Sequence, residues 1–103
     1  MNREYLIDET LEDVDQEFLD HARSIKRVTF EVFNERLRQD TKWGGPEHDD
    51  EHSTQEFCKW IKNYTGWADQ MADCHSWDQA RDRLIQVAAL AVAAVESIDR
   101  KTN

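Results

Sequence analysis

The chain has 103 residues, enough for one domain with a modest core and too few for two. It carries 22 Asp and Glu against 13 Lys and Arg, a net charge of −9, which argues against direct nucleic-acid binding because phosphate contacts need clustered positive charge. With 39% hydrophobic residues and four Trp the composition argues against disorder, and no apolar run approaches the roughly 20 residues that span a bilayer.

The N-terminus lacks a basic-then-apolar signal pattern, so the expected location is the cytoplasm, with no membrane partner. Residues 1–7 hold an apolar patch (Tyr5, Leu6, Ile7) ahead of two candidate helix caps, Asp8 and Thr10. From there the apolar positions run Leu11, Val14, Phe18, Ala22, Ile25, Val28, Val32, Phe33 and Leu37, steps of three and four that predict a helix. Continuous over 9–39, it would be about 46 Å long at 1.5 Å per residue. That exceeds the width of so small a domain, so the helix is expected to break or to pack on another subunit. Trp43-Gly44-Gly45-Pro46 must end it.

Residues 47–52, Glu-His-Asp-Asp-Glu-His, then read as an acidic loop. Ser53 and Glu56 form a capping box opening a second helix, whose apolar face is Phe57, Trp60, Ile61, Tyr64, Ala68 and Met71. Gly66 weakens that helix by about 1 kcal/mol relative to Ala and leaves room for a close neighbour. Ser76 and Gln79 repeat the capping pattern ahead of a third helix reaching about Asp99. Between Leu84 and Val95 its only polar residue is Gln86, so it reads as buried on nearly every face. Two partner helices cannot cover such a helix. The expectation is an all-α fold of three main helices, a bundle completed by oligomerisation (a dimer or higher) through Leu84, Val87, Ala88, Ala91 and Val95.

Charge is unevenly placed. Residues 1–56 hold 16 acidic and 7 basic side chains, and the remainder balances at 6 and 6. The acids Glu9, Glu12, Asp13, Asp15, Glu17 and Asp20 are either a solvated helix face or a docking surface for a basic host protein. In the loop, His48, Asp49, Asp50 and His52 combine imidazole and carboxylate, a donor set suited to Mg, Mn or Zn, although the spacing fits no tight zinc pattern. Arg36, Arg38, Lys42 and Trp43 could grip a nucleotide, cations on phosphate and indole on base; alternatively Trp43 plugs the core. Trp60 and Tyr64 read as core, whereas Trp67 falls off their stripe and is a pocket or interface candidate. Cys58 and Cys74 form no disulfide framework, and Cys74 beside His75 reads as a small semi-buried residue, the alternative being a reactive thiol.

The run Glu35-Arg36-Leu37-Arg38-Gln39-Asp40-Thr41-Lys42-Trp43-Gly44, the following His48-Asp49-Asp50, and the stretch 83–91 with Glu96-Ser97-Ile98-Asp99-Arg100 resemble small proteins of tailed phages and prophages. Those proteins are similar to the all-α MazG-type nucleoside triphosphate pyrophosphohydrolases. The resemblance covers residues 30–101 of a single 1–103 domain, with 1–29 as an acidic extension of the first helix. It implies an oligomeric bundle in which Glu-Glu-x-x-Glu and Glu-x-x-Asp on two helices hold Mg against a triphosphate. Here those positions fall on Lys62, Asn63, Gly66, Arg83 and Gln86, none of them an acid. The resulting expectation is a phage-type accessory protein without catalytic residues. It would bind a nucleotide or a host protein, as in counter-defence. The alternatives are an active Mg- or Mn-dependent pyrophosphohydrolase with a relocated site, and a purely structural interaction protein.

Overall fold

The computed structural model describes residues 15–102, and among them there are helices and no strands. The helices are α1 (Gln16–Trp43), α2 (Gly45–Asp50), α3 (Thr54–Asp73) and α4 (Trp77–Thr102). The chain divides into two compact units, with the boundary between Phe30 and Glu31.

In the first unit the described residues are the start of α1. Asp15 accepts a hydrogen bond from the Glu17 N–H at 3.0 Å, an N-terminal cap, and Gln16 donates to Asp20 at 2.9 Å. Phe18, Ala22 and Val28 are half-buried and Ile25 is exposed. Tyr5, Leu6, Ile7, Leu11 and Val14, the candidate caps Asp8 and Thr10, and the acids Glu9, Glu12 and Asp13 lie outside the described residues.

In the second unit, the glycine turn ends α1 as its residues require. Gly44 takes φ 111°, open to glycine at no steric cost, and its N–H donates to the Asp40 carbonyl at 2.8 Å. The acidic loop expected after Pro46 is instead largely α2. Pro46 sits in its first turn, where a fixed φ and a missing N–H cost nothing, so the glycine turn is followed by a new helix.

The Ser53 box is formed in both directions: Ser53 Oγ accepts from the Glu56 N–H at 3.1 Å, and Glu56 Oε1 accepts from the Ser53 N–H at 3.0 Å. α3 buries Phe57 and Ala68, and α4 buries Ala80, Ala89, Leu90 and Ala93. The small alanines let α3 and α4 approach closely, and burying Phe57 contributes roughly 1.5–3 kcal/mol. Between them, His75 at φ 58° forms a Schellman turn: its N–H donates to the Ala72 carbonyl at 2.9 Å and the Ser76 N–H to Met71 at 2.8 Å.

α4 is not buried on nearly every face within one chain. Leu84 is 53% and Val95 57% exposed, with Ala91, Val92 and Ile98 also exposed and Val87 and Ala88 half-buried. α1 reaches α4 at Gln86 and Glu96, and α2 and α3 also pack on it, leaving these residues open. Gly66 serves no close packing either, since a Cβ there would meet nothing within 4 Å. Cys58 and Cys74 are both exposed free thiols, so Cys74 is not semi-buried; it caps the C-terminus of α3.

Candidate functional site

α2 positions the site, and four side chains of α1 and α4 hold it in place. Arg36, only 8% exposed, donates from one guanidinium nitrogen to Asp49 Oδ2 at 2.6 Å and from Nε to Glu96 Oε1 at 3.3 Å, and also pairs with Asp40. The adjacent Asp50 accepts from Arg100 at 2.9–3.1 Å and from the buried Ser97 hydroxyl at 2.9 Å. The hydrogen bond from Arg100 is the main cause that holds the Asp50 carboxyl below the usual carboxylate range; desolvation opposes it, and Ser97 adds a smaller lowering. Lys101 donates to the His52 carbonyl at 2.7 Å, fixing the connection into α3.

This clamp turns His48 toward an aromatic cavity of about 320 Å³ lined by Trp43, His48, Trp60, Tyr64 and Leu90. The volume lies at the small end of ligand pockets. Trp60 is held edge-on to Phe57 at 5.2 Å and to His52 at 4.9 Å between ring centroids. At the Trp43 end, Lys42 Nζ lies 5.4 Å from the indole ring centroid. Two imidazoles meet behind the wall residue His48: His48 Nε2 and His52 Nε2 are 3.2 Å apart, and His52 Nδ1 is 3.1 Å from Glu56 Oε2. The Glu56 carboxyl is lowered first by the Ser53 N–H and then by His52.

The four cation and indole candidates are not brought together. Arg36 is inside, spent on three carboxylates. Arg38 grips Glu35 through both carboxylate oxygens, at 2.8 and 2.6 Å, and that bond holds its pKa above the ordinary value. Lys42 and Trp43 do share the pocket rim. Of the four loop candidates, Asp49 and Asp50 are taken by guanidinium groups while His48 and His52 face each other. Among the described residues no group of three or more His, Cys, Asp and Glu is placed to hold a metal ion. Mg bound by carboxylates therefore does not fit here: Asp49 and Asp50 neutralise arginines, and the motif positions on α3 and α4 offer no acid.

Asp15, Glu17 and Asp20 of the acidic stretch are exposed. Trp67 is exposed and carries Arg83 over its ring at 4.5 Å. Sequence reasoning missed Trp60, Tyr64 and Leu90 as pocket walls and Glu96, Ser97, Arg100 and Lys101 as the clamp. The available signals were the Trp60–Tyr64 spacing and the i,i+3 pair Ser97 and Arg100, and neither names its partner on α2. No family model matches the chain, and no curated protein or solved structure matches it.

Proposed function

We propose that this chain is a non-catalytic binding protein, a phage-type accessory protein on a MazG-like scaffold, that holds a nucleotide by its base. The observation that carries the reading is the aromatic cavity of Trp43, His48, Trp60, Tyr64 and Leu90. Two indoles and a phenol would supply faces for a planar ring, His48 and Tyr64 would supply edge hydrogen bonds, and Lys42, over the Trp43 ring, would supply a cation for a phosphate. Catalysis is not part of the proposal, because the acids a pyrophosphohydrolase would use are neutralised by Arg36 and Arg100. Retaining a nucleotide intact suits counter-defence, where sequestration alone removes a signal.

The reading includes a second copy of the chain. Leu84, Ala88, Ala91, Val95 and Ile98 repeat at steps of four and three, the seam spacing of paired helices, and none of them is buried. Residues 57–103 balance six acids against six bases, so two copies meeting along α4 do not repel through net charge.

Native mass spectrometry after incubation with a clarified bacterial nucleotide extract and Mg tests both parts. The expected result is an oligomer that retains an intact nucleotide, with Trp43→Ala weakening retention roughly ten- to a hundredfold, the worth of one stacked base. Conversion of triphosphates to matching monophosphates would instead establish the pyrophosphohydrolase. An empty oligomer would redirect the search to a host protein, with Asp15, Glu17 and Asp20 as the bait surface.

A further inference from the structure

Both loop histidines are arranged as a metal-binding pair is, with ring Nε2 atoms together and ring Nδ1 atoms turned to carboxylates. His52 Nδ1 faces Glu56 Oε2 at 3.1 Å, and His48 Nδ1 faces Asp49 Oδ1 at 3.5 Å. The two Nε2 atoms are 3.2 Å apart, with ring centroids 4.6 Å apart and planes tilted by 55°.

Neutral imidazoles cannot satisfy this arrangement. Each ring has one N–H and one lone pair. The bond to Glu56 places the His52 proton on Nδ1, leaving a lone pair at Nε2. If His48 donates its own Nε2 proton to that lone pair, its Nδ1 is left bare against the Asp49 carboxylate. That Nδ1 is buried and has no hydrogen-bond partner. If His48 instead carries its proton on Nδ1, two Nε2 lone pairs oppose each other at 3.2 Å. Two arrangements remove the conflict, a His48 that carries both ring protons or a cation bound by both Nε2 atoms, and metal titration distinguishes them.

We infer that His48 and His52 form a two-imidazole site for a divalent d-block cation, Zn²⁺, Cu²⁺ or Ni²⁺, at the edge of the aromatic cavity, where His48 lines it and His52 packs on Trp60. Imidazole nitrogen selects these ions over Mg²⁺ and Ca²⁺. Two ligands at about 2.0–2.1 Å from a tetrahedral zinc stand about 3.3–3.4 Å apart, so the observed separation needs little adjustment. The carboxylates act as outer-shell partners that orient the rings. Each is itself anchored, Glu56 by the Ser53 N–H and Asp49 by Arg36. Two protein ligands leave further coordination positions for water or for a donor atom of a molecule in the cavity. The inference does not depend on the nucleotide reading, since every group in it belongs to this chain.

The full chain, without nucleotide, is titrated with ZnCl₂ by calorimetry and with CuCl₂ by tryptophan fluorescence. Trp60 lies edge-on to His52 at 4.9 Å, so bound Cu²⁺ should quench its emission saturably at one equivalent per chain. His48→Gln and His52→Gln should each weaken binding at least tenfold. Glu56→Gln should weaken it less, and a His21→Gln/His75→Gln double variant should leave it unchanged. Electron paramagnetic resonance of the Cu²⁺ complex should show coupling to two imidazole nitrogens, a readout that needs no variant to fold. Absence of saturable binding, or equal binding by a folded His48→Gln/His52→Gln variant, overturns the assignment. Displacement of Zn²⁺ by equimolar Mg²⁺ also overturns it.

Discussion

Replacing Arg36 with Met tests whether buried charge ties α1 to α2 and α4. The side chain is 8% exposed and contacts Asp40, Asp49 and Glu96. These three carboxylates would not lose equally. Glu96 is half exposed and Asp40 over a quarter exposed, so water replaces the guanidinium there at little cost. The Asp49 side chain is only 9% exposed, and its remaining neighbour is His48 Nδ1 at 3.5 Å. The loss therefore concentrates on one uncompensated buried carboxylate, a situation that costs about 3–5 kcal/mol. That is a large part of the 5–15 kcal/mol available to a domain of this kind. In urea, with a slope near 2 kcal/mol/M, the midpoint should fall by about 2 M. Arg36→Met/Asp49→Leu removes both charges and should recover most of that loss. An Arg36→Met midpoint close to that of the parent would refute the argument, as would a double variant that falls by the sum of the two singles. If the double variant folds and still retains nucleotide, Arg36 is structural; if it folds and has lost retention, Arg36 touches phosphate as its sequence position first suggests.

Three further outcomes are expected. Val95→Glu, placing a charge in the exposed apolar seam of α4, should halve the native mass or lower it further while leaving helix content intact; an unchanged mass would remove that seam as the interface. Asp50 and Glu56 both have carboxyls lowered in the folded chain, so their stabilisation is present above the unfolded carboxylate pKa and is lost as pH falls through the lowered value. Asp50→Asn should accordingly flatten the fall in melting temperature between about pH 6 and about pH 2, and an acid limb identical to that of the parent would contradict the Arg100 contact. His75→Gly should raise stability by about 1 kcal/mol in thermal or urea unfolding by relieving the left-handed backbone, and a loss would mean that the ring contact with Trp77 matters more.

The helices were legible because their signals are local. The step of three and four along α3, the Ser53–Glu56 box and the glycine turn after Trp43 each depend on neighbours within four residues. α2 was not legible for a related reason: six residues, mostly charged, carry no apolar period, and only Pro46 in a first turn hints at helix. The exposed side of α4 was legible only as apolar length, because composition reports what a helix could bury, whereas exposure within one chain depends on how many elements that chain supplies. The candidate site was half visible. Trp43 and His48 line the pocket, with Lys42 over Trp43 and His52 against Trp60, but Arg36, Asp49 and Asp50 read as free ligands only until their partners, 13 to 60 residues away, are known.

Those distant partners explain why charged residues at this turn need not be catalytic. A short helix beginning at a glycine turn has almost no stability of its own, since helix nucleation is unfavourable and six residues offer few internal hydrogen bonds. α2 is held because successive acids face opposite guanidinium groups, Asp49 toward Arg36 of α1 and Asp50 toward Arg100 of α4, with Ser97 and Lys101 adding two more bonds. Those bonds fix His48 within α2 and orient the turn that follows, so that His52 meets His48 and packs against Trp60. An acidic segment that in isolation reads as a metal cage is thus divided by function: Asp49 and Asp50 fix the backbone, and the imidazoles on either side of them are left to face each other, His48 also facing the pocket.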